Sequence, residues 1–247
     1  MKKIIFFLSL CVFLPLRPSA VVFAGPIESW QALETGVRDG KISKIDAARE
    51  LEALIPGLSG YVSAAGAAAA AGEWAFPLEG YDIRAADKND FKPSIYYGPY
   101  GKKGYDFFDG NKHGGHPAHD LFIRDRNRDC LDDRTLKPVN AVAVEDCVVL
   151  SVNEGWRTGD PGRGGNYIWL SGSRDNKFFY YAHLKDIFVK GGEFIKRGAP
   201  LGTVGRTGQA AHEKRSPTHL HLMVLEYRGG KMVPFDFYDK IKISDKR

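Results

Sequence analysis

The chain has 247 residues, 43% of them hydrophobic and 26% charged. That balance suits one sizeable globular domain with a small appendage, and it excludes a disordered, collagenous or multi-span membrane protein. The formal net charge is +5, part of it at the extreme N-terminus, so strong steering toward nucleic acid is not implied.

Lys2 and Lys3 precede an uncharged apolar run from Ile4 to Leu16, and Val22-Phe23-Ala24 offers small residues for a cleavage site. This pattern predicts a secretory signal peptide over residues 1–24, with Ser19-Ala20 as an alternative cut. The run is shorter than the roughly 20 apolar residues that span a bilayer. The mature chain is therefore expected to be exported, to the periplasm or to the medium and cell wall, without a transmembrane span. Removing Lys2, Lys3 and Arg17 leaves a mature charge near +2. Cys11 also leaves, and the remaining Cys130 and Cys147 form an even pair in an oxidising compartment, which predicts a disulfide.

Residues 25–62 read as a helical segment. Ile27, Trp30, Leu33 and Val37 recur at helical spacing up to Gly40. Ser43 with Asp46 resembles a capping box ahead of Ile45, Ala48, Leu51 and Ile55, and Pro56-Gly57 is expected to end the helix. Two such helices bury little alone, so they pack on each other and on the main domain, or they bind a partner. Residues 63–73, nearly all alanine and glycine, read as a linker. From 74 to 247 the texture changes to short apolar runs between glycine-rich turns: Val139 to Val144, Val148 to Val152, Tyr167 to Leu170, Phe178 to Tyr181, Leu201 to Val204 and Leu220 to Leu225. This predicts a mainly β chain built on an antiparallel sheet.

The histidines cluster. In His219-Leu220-His221 a strand places both imidazoles on one face and Leu220 on the other. In His116-Pro117-Ala118-His119-Asp120, Pro117 disfavours a helix interior, and an extended chain puts positions 116 and 120 on one face with His119 on the other. His116 and Asp120 can then offer a nitrogen and an oxygen, with His221 or His219 adding a second nitrogen. Three protein ligands leave the fourth tetrahedral position of Zn²⁺ open to water, as hydrolysis requires. His113 and His212 are assigned no role. Asp125, Asn127, Asp129 and Asp133 have the spacing of a calcium loop, although Cys130 replaces the usual glycine and Leu136 the usual glutamate. The competing reading is a solvated turn with arginine–aspartate pairs.

Taken in order, His116-x-x-x-Asp120, His183 within Tyr180-Tyr181-Ala182-His183-Leu184, and His219-x-His221 resemble the lysostaphin-type, or LytM-like, zinc metallopeptidases. Gly164-Gly165-Asn166-Tyr167, Val189-Lys190-Gly191-Gly192-Glu193 and Leu201 to Gly208 match as well, so the resemblance covers about residues 110–226. It implies an antiparallel lysostaphin/LytM-type peptidase domain, with one zinc held by His116, Asp120 and His221. His183 and His219 then act on the water beside the metal, one as base or orienter and the other on the oxyanion. The implied activity is endopeptidase cleavage of peptidoglycan stems or cross-bridges, and the helical segment would meet a wall-associated protein. Alternatives are a non-catalytic regulator of other wall hydrolases, or a zinc amidase or carboxypeptidase. The His-Glu-x-x-His helix is excluded, because His212-Glu213 leads to Ser216. The chain departs from the family at Ala118-His119, at Leu222-Met223 and over Gln209 to Pro217.

Overall fold

A computed structural model describes residues 25–65, 73–94, 104–112, 114–173 and 175–244. The segment expected to be a signal peptide, His113 and most of the segment read as a linker lie outside the described residues. Two helices open the described chain, α1 (Pro26–Arg38) and α2 (Lys44–Ala64). Ser43 caps α2 as its spacing predicts, accepting from the Asp46 N–H at 3.1 Å. The helix does not end at Pro56. Pro56 is exposed, as is Glu52, whose carbonyl loses its helical partner there and stays open to water, while Leu51, Leu58 and Val62 continue one buried stripe.

Ten strands follow, and every pairing among them is antiparallel. They are β1 (Ala118–Phe122), β2 (Asn140–Val142), β3 (Cys147–Asn153), β4 (Tyr167–Gly172), β5 (Lys177–Ala182), β6 (Leu184–Ile187), β7 (Phe194–Ile195), β8 (Pro200–Val204), β9 (His219–Arg228) and β10 (Lys231–Pro234). The large sheet runs β1-β9-β5-β4-β3-β7 with β10 also paired to β9, and a smaller sheet runs β2-β8-β6. A short helix, α3 (Tyr238–Ser244), closes the described chain. Five of the six apolar runs read from the sequence lie within these strands, and the sixth, Val139 to Val144, is strand only at Asn140–Val142.

The large sheet is covered on both faces, which is why its central strands are apolar almost throughout. One face carries Leu121, Val149, Ile168, Phe179, Leu220 and Leu222, packed with Ala141, Leu201, Val204, Phe237 and Ile241 from the smaller sheet and the C-terminal segment. The other carries Ala118, Leu150, Trp169, Phe178, Met223 and Leu225 beneath the buried residues of α1 and α2. Trp30 of α1 is fully buried and lies nearly parallel to Phe178, with centroids 5.2 Å apart and an 11° interplanar angle. Its indole N–H donates to Ser151 Oγ at 3.3 Å. The apolar stripes of both helices are thus spent on the sheet. Among the described residues, no helix is long and apolar enough to cross a membrane.

The expected Cys130–Cys147 disulfide is not formed, and both thiols are free. Cys147 opens β3 and points into the core between the sheets, whereas Cys130 lies in a partly exposed turn beside Asp125. Each is fixed in its own surroundings. Burial, with Glu145 and Asp146 nearby, pushes the Cys147 thiol up, so it stays protonated and inert.

Candidate metal centre and its cleft

Strand alternation places the first and third histidine motifs together. β1 and β9 are neighbours in register, with Asp120 opposite His221 and Phe122 opposite His219. Asp120, His219 and His221 then share the face that also carries Ala118 and Met223. His116 stands just ahead of β1. Ligand atoms of His116, Asp120 and His221 all lie within 4.8 Å of one another. Asp120 Oδ1 is 3.3 Å from His116 Nε2 and 2.9 Å from His221 Nδ1. A tetrahedral site with bonds of about 2.0–2.1 Å has edges of roughly 3.3 Å, so the nitrogen, nitrogen and oxygen donors fit a zinc ion in identity and separation.

Electrostatics prepare the donors. Burial alone would raise the Asp120 carboxyl, but hydrogen bonds with His116 and His221 outweigh it and hold the group well below the usual range, so it stays ionised. Burial pushes His221 down and would do the same to His116, but the Asp120 carboxylate takes His116 up to about 9.

His183 stands just past the end of β5, in the bend before β6, and completes the cluster. Its ring centroid is 4.9 Å from that of His219 and 5.6 Å from that of His221. Its backbone is left-handed, with φ 64°. Its N–H donates to the Gly164 carbonyl at 2.9 Å, and its Nδ1 lies 2.7 Å from the Thr207 carbonyl. His219 Nδ1 lies 2.8 Å from the Pro217 carbonyl. A carbonyl only accepts, so both rings carry their proton on Nδ1 when neutral and keep an Nε2 lone pair. Burial and the neighbouring imidazoles drive His183 down to about 3, so it is neutral at physiological pH.

These groups line a cleft of about 670 Å³. One wall comes from α1, where Glu34 and Arg38 reach the cleft. The Tyr167 hydroxyl donates to Glu34 Oε1 at 2.7 Å, and Arg38 Nη1 donates to the Tyr167 oxygen at 3.0 Å and to Asn153 Oδ1 at 3.3 Å. The rim contains the segment 209–217 that departs from the family pattern. Arg206 fixes it by donating to the carbonyls of Ser216, Glu213 and His212.

Sequence reasoning missed several supporting groups. Thr207 lies inside a quoted motif, yet its part appears only in the fold: its Oγ1 accepts from the Asn166 N–H at 2.8 Å and donates to the Leu184 carbonyl at 2.9 Å, while its carbonyl faces His183. Gly208 beside it has φ 104°, and a Cβ there would come within 2.3 Å of the Arg163 carbonyl. Glu34 and Arg38 carried no signal beyond helical spacing.

His119 faces the opposite side of the sheet, as its position implies. It is fully buried, with Nδ1 at 3.1 Å from the Asp87 carbonyl and Nε2 at 2.9 Å from Asp236 Oδ1. It is therefore a structural histidine of the core. In the calcium-loop candidate, the acids meet the loop's own donors. Asp125 accepts from the N–H groups of Asp129 and Cys130 and from the Thr218 hydroxyl, Asp129 from Leu131 N–H and Asn127, and Asp133 from Arg126 N–H. Each of the four side chains thus has a hydrogen-bond partner in or beside the turn.

Residues 134–234 match the model of peptidase family M23. The match includes His183, His219 and His221 and begins after His116 and Asp120. No curated protein matches the chain. Among solved structures, the chain is similar to a zinc-containing peptidase from Vibrio cholerae, at 20% identity over 66% of this chain and 39% of that one, with a TM-score of 0.41. A putative glycyl-glycine endopeptidase LytM from Ruminococcus gnavus is 23% identical over 51% of this chain and 45% of that one, with a TM-score of 0.40. The catalytic domain of lysostaphin from Staphylococcus simulans is 25% identical over 62% of this chain and 94% of that one, with a TM-score of 0.37. The chain spans less than half the length of the first two. Over residues 134–234 the chain is thus similar to peptidase family M23, the kind of peptidase that the ordered histidine motifs resemble.

Proposed function

We propose that the protein is an exported zinc metalloendopeptidase that hydrolyses peptide bonds in peptidoglycan stems or cross-bridges. The observation that carries this reading is the convergence of His116, Asp120 and His221 within 4.8 Å, at a cleft where His183 and His219 also stand. One zinc per chain, held by those three side chains, would supply an acidified water and a Lewis acid for the scissile carbonyl. The chain's own residues do the rest. The carbonyls of Thr207 and Pro217 orient the two rings, so each presents Nε2 as a proton acceptor. One of His183 and His219 takes the proton from the attacking water and passes it to the leaving amine nitrogen, and the other, carrying on Nε2 a proton taken up from solvent, donates to the developing oxyanion. The walls formed by α1 and the 209–217 segment confine an extended peptide in the cleft.

The test is digestion of purified peptidoglycan with and without a chelator, with products read by mass spectrometry. We expect peptide fragments whose release stops on chelation and resumes with added zinc. The masses also tell a cut within the peptide from a cut at the glycan–peptide amide. Undiminished digestion by the metal-free protein would overturn the proposal.

A further inference from the structure

β1 lies at the edge of the large sheet, so half of its backbone groups face away from β9 and need partners elsewhere. The segment 86–92 provides them. Ala86 bridges to Leu121 and Lys92 to His116, the latter through N–H···O bonds of 2.7 and 2.8 Å. Between these anchors the chain turns at Asp87, whose side chain accepts from the Asn89 N–H at 2.9 Å. The turn delivers Asp90 to the back of the first histidine motif. There Asp90 makes contacts of different kinds, and its Oδ1 also lies 3.6 Å from His116 Nδ1. Its Oδ2 accepts from the Asp120 backbone N–H at 2.8 Å, and its carbonyl lies 2.9 Å from His116 Nδ1.

The consequences are distinct. An acceptor at His116 Nδ1 fixes the proton on that nitrogen and directs the Nε2 lone pair toward Asp120 and His221. The carboxylate satisfies an edge-strand donor and sets where Asp120 leaves the backbone. We propose that Asp90 is a positioning residue that holds two of the three candidate ligands, His116 and Asp120, in one geometry. The inference rests on the zinc reading of the triad. Asp90 lies outside the region matched by the family model, so nothing in that match assigns it a role.

The experiment compares the wild-type protein with Asp90→Ala and Asp90→Asn, measuring zinc affinity by competition with a chromophoric chelator and thermal stability of each metal-free form. Asn keeps an acceptor oxygen for the Asp120 N–H, whereas Ala does not. We expect Asp90→Ala to weaken zinc binding by about 10- to 100-fold and Asp90→Asn to recover most of that loss, with similar metal-free melting temperatures. Wild-type affinity in Asp90→Ala overturns the inference while leaving the zinc site intact. So does a loss in Asn equal to that in Ala, or a metal-free Ala form that no longer melts cooperatively. A wild-type protein that binds no zinc overturns the site reading, and this inference with it.

Discussion

His183 has a backbone that few histidines adopt. Its φ of 64° lies in the left-handed region, which costs a non-glycine residue free energy and persists only where the surroundings hold it. Here Gly164 holds its N–H and Thr207 holds its ring, so the tight corner between β5 and β6 is what swings the imidazole into the cleft. Asparagine tolerates that conformation well. We therefore expect His183→Asn to fold and to retain zinc, with wall digestion reduced at least ~100-fold, the scale of a lost acid–base group; metal content and turnover measured on the same sample check this. Loss of the metal along with activity would remove His183 from the proposed role. At this scale the sequence was legible where residue type and spacing suffice: two histidines at i and i+2 on a strand, a histidine and an aspartate at i and i+4 in extended chain. It was mute on Asp90, Thr207 and Glu34, because their contacts reach across 23 to 133 positions and several involve carbonyls that any residue possesses.

Local pattern served the strands well, and the reason is burial. β3, β4, β5 and β9 are covered on both faces, so they are nearly continuous apolar runs bounded by glycine and aspartate. Short β6, β7 and β10 have mixed exposure and stood out less. Over Asp125 to Asp133, acids at calcium-loop intervals also accept hydrogen bonds from the loop's own N–H groups, so spacing alone does not choose between the two readings. Asp132 is the most buried acid of this turn, at 1% exposure. Burial alone would raise its carboxyl. Hydrogen bonds from the Tyr81 hydroxyl, the N–H groups of Thr135 and Arg134, and the Arg124 guanidinium instead hold it well below the usual range. A depressed folded-state pKa contributes stability above the unfolded value of about 3.9, and that contribution fades as pH falls through the folded value. Asp132→Asn should therefore cost about 1–3 kcal/mol at pH 7, and the gap to wild type should narrow steadily below about pH 4. Denaturant unfolding across pH reads the difference, and a gap that does not change with pH would refute this account.

The whole molecule is a three-layer stack of helical hairpin, large sheet and small sheet. The hairpin is part of the same folded body as the large sheet, with Trp30 wedged against Phe178, Trp169 and Phe107. Its amphipathic helices were readable, but their choice of surface was not, because a sequence stripe shows that a face is buried and not what buries it. Trp30→Ala should destabilise the protein by about 3–5 kcal/mol and lower the rate of wall digestion, since α1 also carries the cleft wall. A loss of stability with full activity would separate the two roles.

The shared sheet face has a practical consequence for anyone dividing the chain. A fragment trimmed to the family match, or begun after the alanine-rich linker, would leave Phe178, Trp169, Leu150 and Leu225 without their cover. Those side chains form one contiguous apolar surface beside the candidate metal ligands, and such surfaces drive self-association. The smallest workable catalytic unit accordingly begins at or before Pro26, and recombinant boundaries, domain grafts and fusion points are better placed ahead of α1 than between it and the sheet.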